Sequence, residues 1–533
     1  MYFTRIFAVE WGMLGFQPFA GRIAALGAVL ALTACATQEA PQPSQSSFAE
    51  PAAAEVISVA LDNITDKYIE PVSLDSVGTE GLRGLASIDP AISLKVDDGH
   101  LILFNDGQEI ARMQQPSAED ARAWGAALVA LTETARGYSS ELRNASSEKI
   151  YEAIFDGVLS HLDIFSRYAG NVEANRNRAK RDGFGGIGVR FRVEGGAAIV
   201  TRLIEDTPAA KSGLVLGDRI IAVEGHAVAQ LDSVAVTELI RGPVHTHVNL
   251  VIDRPNSKKP FEVSVPRAHI VPQTVIVRRE DGIGIVKITS FNQETAHGME
   301  KAIAQLTAPN APPISGIILD LRGNPGGLLR QSIKVADQLL TQGDILRTVG
   351  RHPDSLHHYT AGGTDLAAGL PVVVLVDGKS ASAAEIVAAA LQDRDRAVVI
   401  GTSSYGKGSV QTVIRLPNDG EIALTWSKFV APSGYYLHGM GVVPTVCTSG
   451  HEKLSETTDI IQSALDGAGP GVEISWRHRA FLDDKGRSQL RSACPSETRR
   501  GPLDLAVAKR LIADRKLHAR ALLVTAATAE VTN

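Results

Sequence analysis

The sequence predicts an α/β chain: a layered core toward the C-terminal side, a β-rich module before it and a helical N-terminal region. Three observations carry this. Short apolar runs at 283–288 (IGIVKI), 316–321 (GIILDL), 371–376 (PVVVLV) and 397–400 (AVVI) read as buried strands, with helical stretches at 295–307, 327–340 and 382–393 between them. Strands alternating with helices imply α/β layers, which place reactive groups where strands end and helices begin. In residues 183–268, Val189 to Val193 alternates with period 2 directly after a glycine-rich start, so a strand opens that unit. Residues 55–71 (EVISVALDNITDKYIEP) read as an amphipathic helix ending before Pro71, and helical periods return over 117–169.

The 533 residues suggest about three or four domains. Apolar residues make up 44%, charged residues 21%, and the formal net charge is −6. That composition excludes a chain disordered throughout. Without a sustained basic excess, nucleic acid is not expected as the main partner. No run of 18 or more apolar residues follows the N-terminus, so a multi-spanning membrane domain is excluded. Three cysteines are too few for a disulfide scaffold, and neither CxxC nor HExxH spacing occurs, so no metal site is expected.

Residues 23–34 (IAALGAVLALTA) are small and apolar, with Arg22 just before them. They fit a signal-peptide h-region and are too short to span a membrane stably. The run ends in Leu32-Thr33-Ala34-Cys35, which resembles a bacterial lipobox, so residues 1–34 read as a lipoprotein signal peptide and Cys35 as the lipidated first residue of the mature chain. An ordinary cleavage site beside a chance cysteine is the alternative, and Met13 is a second candidate start. Ala36, not Asp, follows Cys35. By resemblance to Gram-negative lipoproteins, that implies a lipid anchor in the outer membrane, facing the periplasm. Export licenses disulfides, so Cys447 and Cys494 are a candidate pair. Residues 35–54 form a Pro/Ser/Gln/Ala tether without periodicity.

Residues 55–182 form the N-terminal helical region. It carries a small β insertion at 93–113, where Asp98-Gly99 and Asp106-Gly107 mark two turns between alternating segments. No chemistry is assigned to it. Residues 448–533 are charged and partly helical, notably 503–517, and read as a solvated appendage.

Residues 183–268 begin GFGGIGVRFRV, in which Gly183, Gly185 and Gly188 satisfy GxGxxG. A dinucleotide site needs a helix after that motif, and here a strand follows. The glycines suit a loop whose backbone amides point at a carboxylate beside a strand edge. Downstream stand Pro208-Ala209-Ala210-Lys211-Ser212-Gly213-Leu214 and Leu216-Gly217-Asp218-Arg219-Ile220. With these the unit resembles a PDZ domain over its whole length. That resemblance places Gly186, Ile187 and Gly188 in the carboxylate-binding loop, a peptide tail beside the strand from Val189, and residues 231–241 as the helix forming the other groove wall. A PDZ that merely packs against its neighbour is the bland alternative.

In residues 269–447 the chemistry sits in three loops. Asp320-Leu321-Arg322-Gly323-Asn324-Pro325-Gly326-Gly327 runs from a strand into a turn whose glycines let backbone amides approach a ligand, one way to build an oxyanion hole. Alone, it reads as a tight strand–helix turn. Asp377-Gly378-Lys379-Ser380-Ala381-Ser382-Ala383-Ala384-Glu385 opens a helix, and Ser382 with Glu385 fits a capping box, so N-capping is the sober reading of Ser382. A nucleophile there would benefit from the helix N-terminus. It is not the G-x-S-x-G elbow. Gly401, Gly406 and Lys407 mimic a P-loop, but position 408 is glycine and SVQTVIRL after it reads as a strand, which rejects a nucleoside triphosphate site.

Together, DLRGNPGG, KSASAAEI, ALQDRDRAVVIG and SYGKGSVQT resemble the carboxy-terminal processing proteases, also called tail-specific proteases: PDZ-containing serine peptidases with a Ser–Lys dyad and crotonase- or ClpP-like α/β layers. Residues 151–168 (YEAIFDGVLSHLDIFSRY) resemble a further family stretch, with Ile164-Phe165 in place of Pro-His. The likeness holds over about 150–445 and thins at 84–145 and after 450. It implies Ser382 as nucleophile, Lys407 as general base, Gln411 positioning the lysine amine, and an oxyanion hole from the amides of Ala383 and of Gly326 or Gly327. Two departures touch local packing: Ala384 replaces a small hydroxyl residue, and Gly441-Val442-Val443-Pro444-Thr445 replaces GIxPD.

Lysine has an ordinary pKa of about 10.4, so it serves as a base near neutrality only if burial disfavours its ammonium. A fall of about 3 units is about 4 kcal/mol. No acidic residue occurs from 396 to 418, so the sequence permits that fall. His352, His357, His358 and His438 read as surface residues. The reading is a periplasmic serine endopeptidase, without metal or organic cofactor, that cleaves proteins with unstructured apolar C-terminal tails held by the PDZ. The alternative is a catalytically silent PDZ adaptor or holdase. The resemblance implies as partners such substrates, a second copy of the chain through the N-terminal helices, and an activating lipoprotein.

Overall fold

The predicted apolar runs assemble into one six-stranded sheet. Its order is Val275–Glu280, Ile283–Ile288, Ile317–Asp320, Val372–Val376, Val398–Gly401 and Val446–Cys447. The first two strands pair antiparallel, and every later step is parallel. This is a computed structural model, which describes residues 48, 50–466, 484–498 and 501–526. Cys35, the signal peptide and most of the tether lie outside those residues. Among the described residues no helix is long and apolar enough to cross a membrane.

A parallel sheet needs cover on both faces, which is why its strands are apolar at successive positions rather than alternate ones. Val286, Ile317, Leu319, Val372 and Val374 pack against the helices Thr295–Thr307, Leu329–Asp337 and Ala383–Asp393. Ile285, Ile318, Val373, Leu375 and Ile400 point the other way, onto Ile460, Ile461, Leu503, Val507, Leu511 and Ile512. These last belong to the helices Thr457–Leu465 and Leu503–Ala513. The described residues of 448–533 are therefore not a solvated appendage. Their charge masked a stripe at 503, 507, 508, 511 and 512 that buries the second face of the core sheet. They are also fastened covalently, by a disulfide between Cys447 and Cys494.

A second, antiparallel sheet runs His357–Ala361, Gly343–Val349, Glu421–Val430 and Ser409–Arg415, and the short strand Arg167–Ala169 joins it at Glu421–Val430. The strand Ser409–Arg415 begins after Lys407 and Gly408, where the sequence reads as a strand. The N-terminal helices pack on the far end of this sheet, where Leu416, Ile422 and Leu424 join the core of Ile57, Leu61, Trp124, Ile154 and Phe155. The β insertion is a three-stranded meander, Ile92–Asp97, His100–Asn105 and Gln108–Gln114. Both turns have the expected positive φ, 45° and 68° at Asp98-Gly99 and 49° and 78° at Asp106-Gly107. The first helix spans Glu50–Lys67, so it starts inside the stretch read as tether. Pro51 suits a first turn and Ala52 to Ala54 extend it, and Ala53 is fully buried.

The PDZ unit holds a sheet ordered Phe261–Pro266, His247–Asp253, Arg219–Val223, Ala197–Leu203 and Val189–Glu194. The strand Val189–Glu194 stands at the edge of that sheet. The chain enters and leaves the unit through an antiparallel pair, Phe184–Gly186 with Ala268–Ile270.

Candidate active site

The strand Val372–Val376 delivers Asp377, whose Oδ1 accepts the amides of Gly323, Lys379 and Ser380 at 2.9, 3.0 and 3.1 Å. One buried carboxylate thus ties the first glycine loop to the second loop. The Ala381 amide adds a bond to the Asn324 carbonyl at 2.9 Å. Between these ties and the helix that begins at Ala383, Ser382 is held at φ 54° and ψ −114°. A non-glycine residue at such a φ is costly and persists only where its surroundings over-determine it.

Gly326 and Gly327 lie against this serine. A Cβ on Gly326 would sit 2.9 Å from Ser382 Cβ and 3.1 Å from the Ala383 nitrogen, which is the close approach that glycine permits. The two amides differ. Gly326 N–H donates to Asn324 Oδ1 at 2.8 Å, whereas those of Gly327 and Ala383 make no hydrogen bond among the described residues.

Lys407 reaches the same place through Glu385, a residue the sequence offered only as a helix cap. Glu385 is fully buried. Its Oε2 accepts the amides of Ser382 at 2.6 Å and Lys407 at 3.0 Å, and its Oε1 accepts the Ser404 hydroxyl at 2.5 Å and the Gly406 amide at 2.6 Å. Burial pushes the Glu385 carboxyl above its ordinary range, and these four donors pull against that. The loops of Ser382 and Lys407 are thereby bolted together.

The lysine side chain is buried enough to push its pKa below the ordinary value, with the nearby Arg167 guanidinium adding to the fall and Asp163 and Glu385 opposing it. These carboxylates come from distant sequence, so the acid-free stretch 396–418 did not reveal them. The Lys407 Nζ lies over the Phe165 ring, 4.9 Å from its centroid, and makes no hydrogen bond to Ser382 among the described residues. Gln411 Nε2 donates to the Ser409 and Thr425 hydroxyls at 2.9 and 3.1 Å, and no bond from it to Lys407 is formed. His438 is not on the surface. It is half-buried, its ring edge-on to Phe165 at 6.2 Å, and His352 is likewise half-buried beside Trp426. Both pack on aromatic neighbours that only the fold brings near. No histidine is hydrogen-bonded to Ser382 among the described residues.

Ser382, Lys407, Gln411, Ala383, Gly326 and Gly327 all line one cleft of about 970 Å³. Residues 282–448 match peptidase family S41, and residues 185–265 match the PDZ domain. A carboxy-terminal-processing protease of Bartonella bacilliformis is 38% identical over 301 residues, 56% of this chain and 69% of that one. The chain belongs to the carboxy-terminal processing protease family. It is a serine-type peptidase, and a Ser–Lys dyad is the family's hallmark. The carboxy-terminal processing protease CtpB of Bacillus subtilis is 32% identical over 305 residues, 56% of this chain and 63% of that one. The chain spans 69% and 63% of the length of these two relatives. The solved photosystem II D1 C-terminal processing protease aligns with 58% of this chain and 87% of that one, at 24% identity and a TM-score of 0.33.

In this protease the C-terminal segment backs all three loops. Arg322, in the first, pairs with Asp320 at 2.9 Å and with the buried Asp504 of the helix Leu503–Ala513 at 3.1 Å. Gly378, in the second, donates its amide to the Glu497 carbonyl at 2.7 Å. Arg491 donates to the Ser404 carbonyl of the third at 2.9 Å. None of these partners carried a sequence signal beyond its charge.

The PDZ of the protease carries the elements its motif implies. Gly186 pairs with Ala268, Ile187 is buried, and Gly188 takes φ 82° where a side chain would meet Thr207. The amides of Ile187 and Gly188 make no hydrogen bond among the described residues. Among the described residues the strand from Val189 leaves its outer edge unpaired, and the helix Ser233–Ile240 lies within the predicted 231–241.

Proposed function

We propose that the protease is an exported, lipid-anchored endopeptidase that hydrolyses proteins bearing unstructured, apolar C-terminal tails, with Ser382 and Lys407 as its dyad. The observation that carries this is the shared Glu385 clamp, which holds both loops in one cleft. Burial makes the neutral amine of Lys407 accessible, and the lysine lines the same cleft as Ser382. The amine takes the Ser382 proton as Oγ attacks the peptide carbonyl. The amides of Ala383 and Gly327 are the available donors for the oxyanion, since that of Gly326 is held by Asn324. The Lys407 ammonium protonates the departing amine, and water releases the acyl group. Gln411 holds the strand beside the lysine through Ser409 and Thr425.

The PDZ captures the substrate carboxylate at Ile187 and Gly188, and the tail adds as a strand beside Val189. Export is favoured by the signal-like residues 1–34, by Cys35 as anchor and by the Cys447–Cys494 disulfide, which persists in oxidising compartments. These features support a periplasmic, outer-membrane-anchored enzyme. A homodimer through the N-terminal helices and an activating lipoprotein remain part of this reading. The test is cleavage of an unfolded reporter with an apolar C-terminal tail by wild type, Ser382→Ala and Lys407→Ala. Only wild type should cleave. Equal cleavage by Lys407→Ala would remove the proposed base, and tail binding by an inert wild type would favour the adaptor.

A further inference from the structure

The segment 484–498 is stitched to the back of the catalytic loops at three points. Arg491 Nη1 and Nη2 donate to the carbonyls of Met440 and Ser404 at 2.7 and 2.9 Å. Cys494 is bonded to Cys447, at the end of the last core strand. The Glu497 backbone exchanges hydrogen bonds with Thr402, its N–H donating to Oγ1 at 3.1 Å and its carbonyl accepting from Oγ1 at 3.0 Å, and its side chain accepts the Gly450 amide at 2.9 Å.

Of these, Arg491 leads directly to the dyad. The Ser404 residue whose carbonyl it holds gives its hydroxyl to Glu385, which in turn holds the Ser382, Gly406 and Lys407 amides. The Ser404 hydroxyl also accepts the Val442 amide at 2.7 Å, two residues beyond the other carbonyl that Arg491 grips. The guanidinium therefore pins both strands of the loop pair, 404 and 440, against each other. A Cβ on Gly441 would lie 3.0 Å from Glu385 Oε1 and 3.1 Å from Arg491 Nη1, so the cation and the buried carboxylate converge on one spot. Burial pushes the Arg491 guanidinium below its ordinary pKa, and the nearby Glu385 carboxylate opposes that fall.

We propose that Arg491 is a positioning residue for the Ser382–Lys407 dyad and that the Cys447–Cys494 disulfide is the latch that keeps it in place. The inference rests on the dyad reading above. A redox sensitivity follows from the covalent step. A dithiol reductant supplies two electrons and two protons, its own sulfurs pair, the Cys447–Cys494 bond breaks, and both cysteines leave as thiols. The last turn of the helix Asp484–Ser492 is then held only by non-covalent bonds, and Arg491 loosens from Ser404.

The test compares the full chain, Arg491→Met, Arg491→Lys and the Cys447→Ser/Cys494→Ser double variant on the tailed reporter, each with and without dithiothreitol. Two charge-assisted bonds are at stake, so Arg491→Met should lower kcat about tenfold to a hundredfold. KM and PDZ affinity for a tail peptide should stay within about twofold, because neither groove touches Arg491. Arg491→Lys should recover part of kcat. The double variant should lose kcat in the same direction, dithiothreitol should reproduce that loss in wild type, and it should add little to Arg491→Met. A kcat of Arg491→Met within about twofold of wild type overturns the positioning role. Full activity of reduced wild type and of the double variant overturns the latch. If Ser382→Ala cleaves as fast as wild type, the dyad reading fails instead, whatever Arg491 does.

Discussion

The backbone amides of Ser382 and Lys407 donate to the same carboxylate oxygen, Glu385 Oε2, at 2.6 and 3.0 Å. A dyad needs two side chains from separate loops kept within reach of each other, and a shared acceptor fixes their backbones without occupying either side chain. The same contact accounts for the positive φ of Ser382, since the peptide that carries its N–H is turned inward onto Glu385.

Glu385→Gln keeps the shape and removes the charge. Its amide nitrogen would face N–H donors, leaving at least one buried donor unsatisfied at a cost of about 1–3 kcal/mol. The expected result is a kcat at least about tenfold lower, with tail-peptide binding by the PDZ unchanged. Steady-state kinetics beside a peptide titration checks it. An unaltered kcat would show that the clamp is dispensable.

Lys407 predicts a pH dependence in both activity and stability. Burial first, then Arg167, lowers its pKa in the folded protein, whereas the unfolded chain holds that proton up to about pH 10.4. Between the two values the unfolded state binds more protons, so wild-type stability rises with pH across that window. The cost of the buried ammonium is full below the folded value and gone above the unfolded one. Lys407→Met should therefore be more stable than wild type at low and neutral pH, and the gap should close toward pH 10.4. Urea unfolding of both proteins over pH measures it. In activity, Arg167→Gln should move the acid limb of the kcat profile to higher pH, because it removes a cation that lowers the Lys407 pKa.

What the sequence disclosed and what it hid differ in kind. The strands at 283–288 and 371–376 announced themselves because a sheet covered on both faces needs unbroken apolar runs. The lysine loop was legible because glycines at 406 and 408 and a β-branched run after them exclude the helix of a nucleotide site. Partnerships across the fold were not legible. Glu385 looked like a helix cap, Phe165 like an odd replacement for histidine, and Arg491 and Asp504 like surface charges, because burial and pairing depend on residues far away in the chain, 182 positions in the case of Arg322 and Asp504. The C-terminal stripe was missed for a related reason: its apolar positions are diluted by lysine and arginine on the outer face.

The Arg322–Asp504 pair makes that dilution testable. Asp504 is 1% exposed, and it holds Arg322 through one oxygen and the Thr448 hydroxyl through the other, at 3.1 and 2.7 Å. Arg322 keeps Asp320 as a partner when Asp504 is removed, so the loss is that of one acceptor from Arg322 Nη1 and from the Thr448 hydroxyl, about 1–3 kcal/mol. Asp504→Ala should lower the urea midpoint accordingly and depress kcat through the first glycine loop. Leu511→Ala, on the same helix but away from the loops, should cost about 2–5 kcal/mol in stability and leave kcat of the folded fraction unchanged. The contrast separates bracing of the site from cover of the sheet.

The PDZ edge strand yields the last prediction. Val189, Phe191 and Val193 turn inward onto the PDZ core while Arg190, Arg192 and Glu194 face solvent, and among the described residues no strand lies beside the outer backbone edge. An open edge is a pairing template, and the amides of Ile187 and Gly188 at its start, which make no hydrogen bond among the described residues, are the donors that the proposed capture of a terminal carboxylate would use. A peptide with an apolar C-terminus should bind there, and amidating that terminus should weaken binding about tenfold to a hundredfold, the worth of charge-assisted hydrogen bonds. Gly188→Val forces a β-branched residue to φ 82° against Thr207 and should abolish binding. The cleft of Ser382 lies elsewhere, so the variant should still cleave an unfolded protein whose C-terminus is blocked, and fail only to prefer the tailed reporter. Equal affinity for amidated and free tails would mean that the groove reads side chains and backbone but not the chain end.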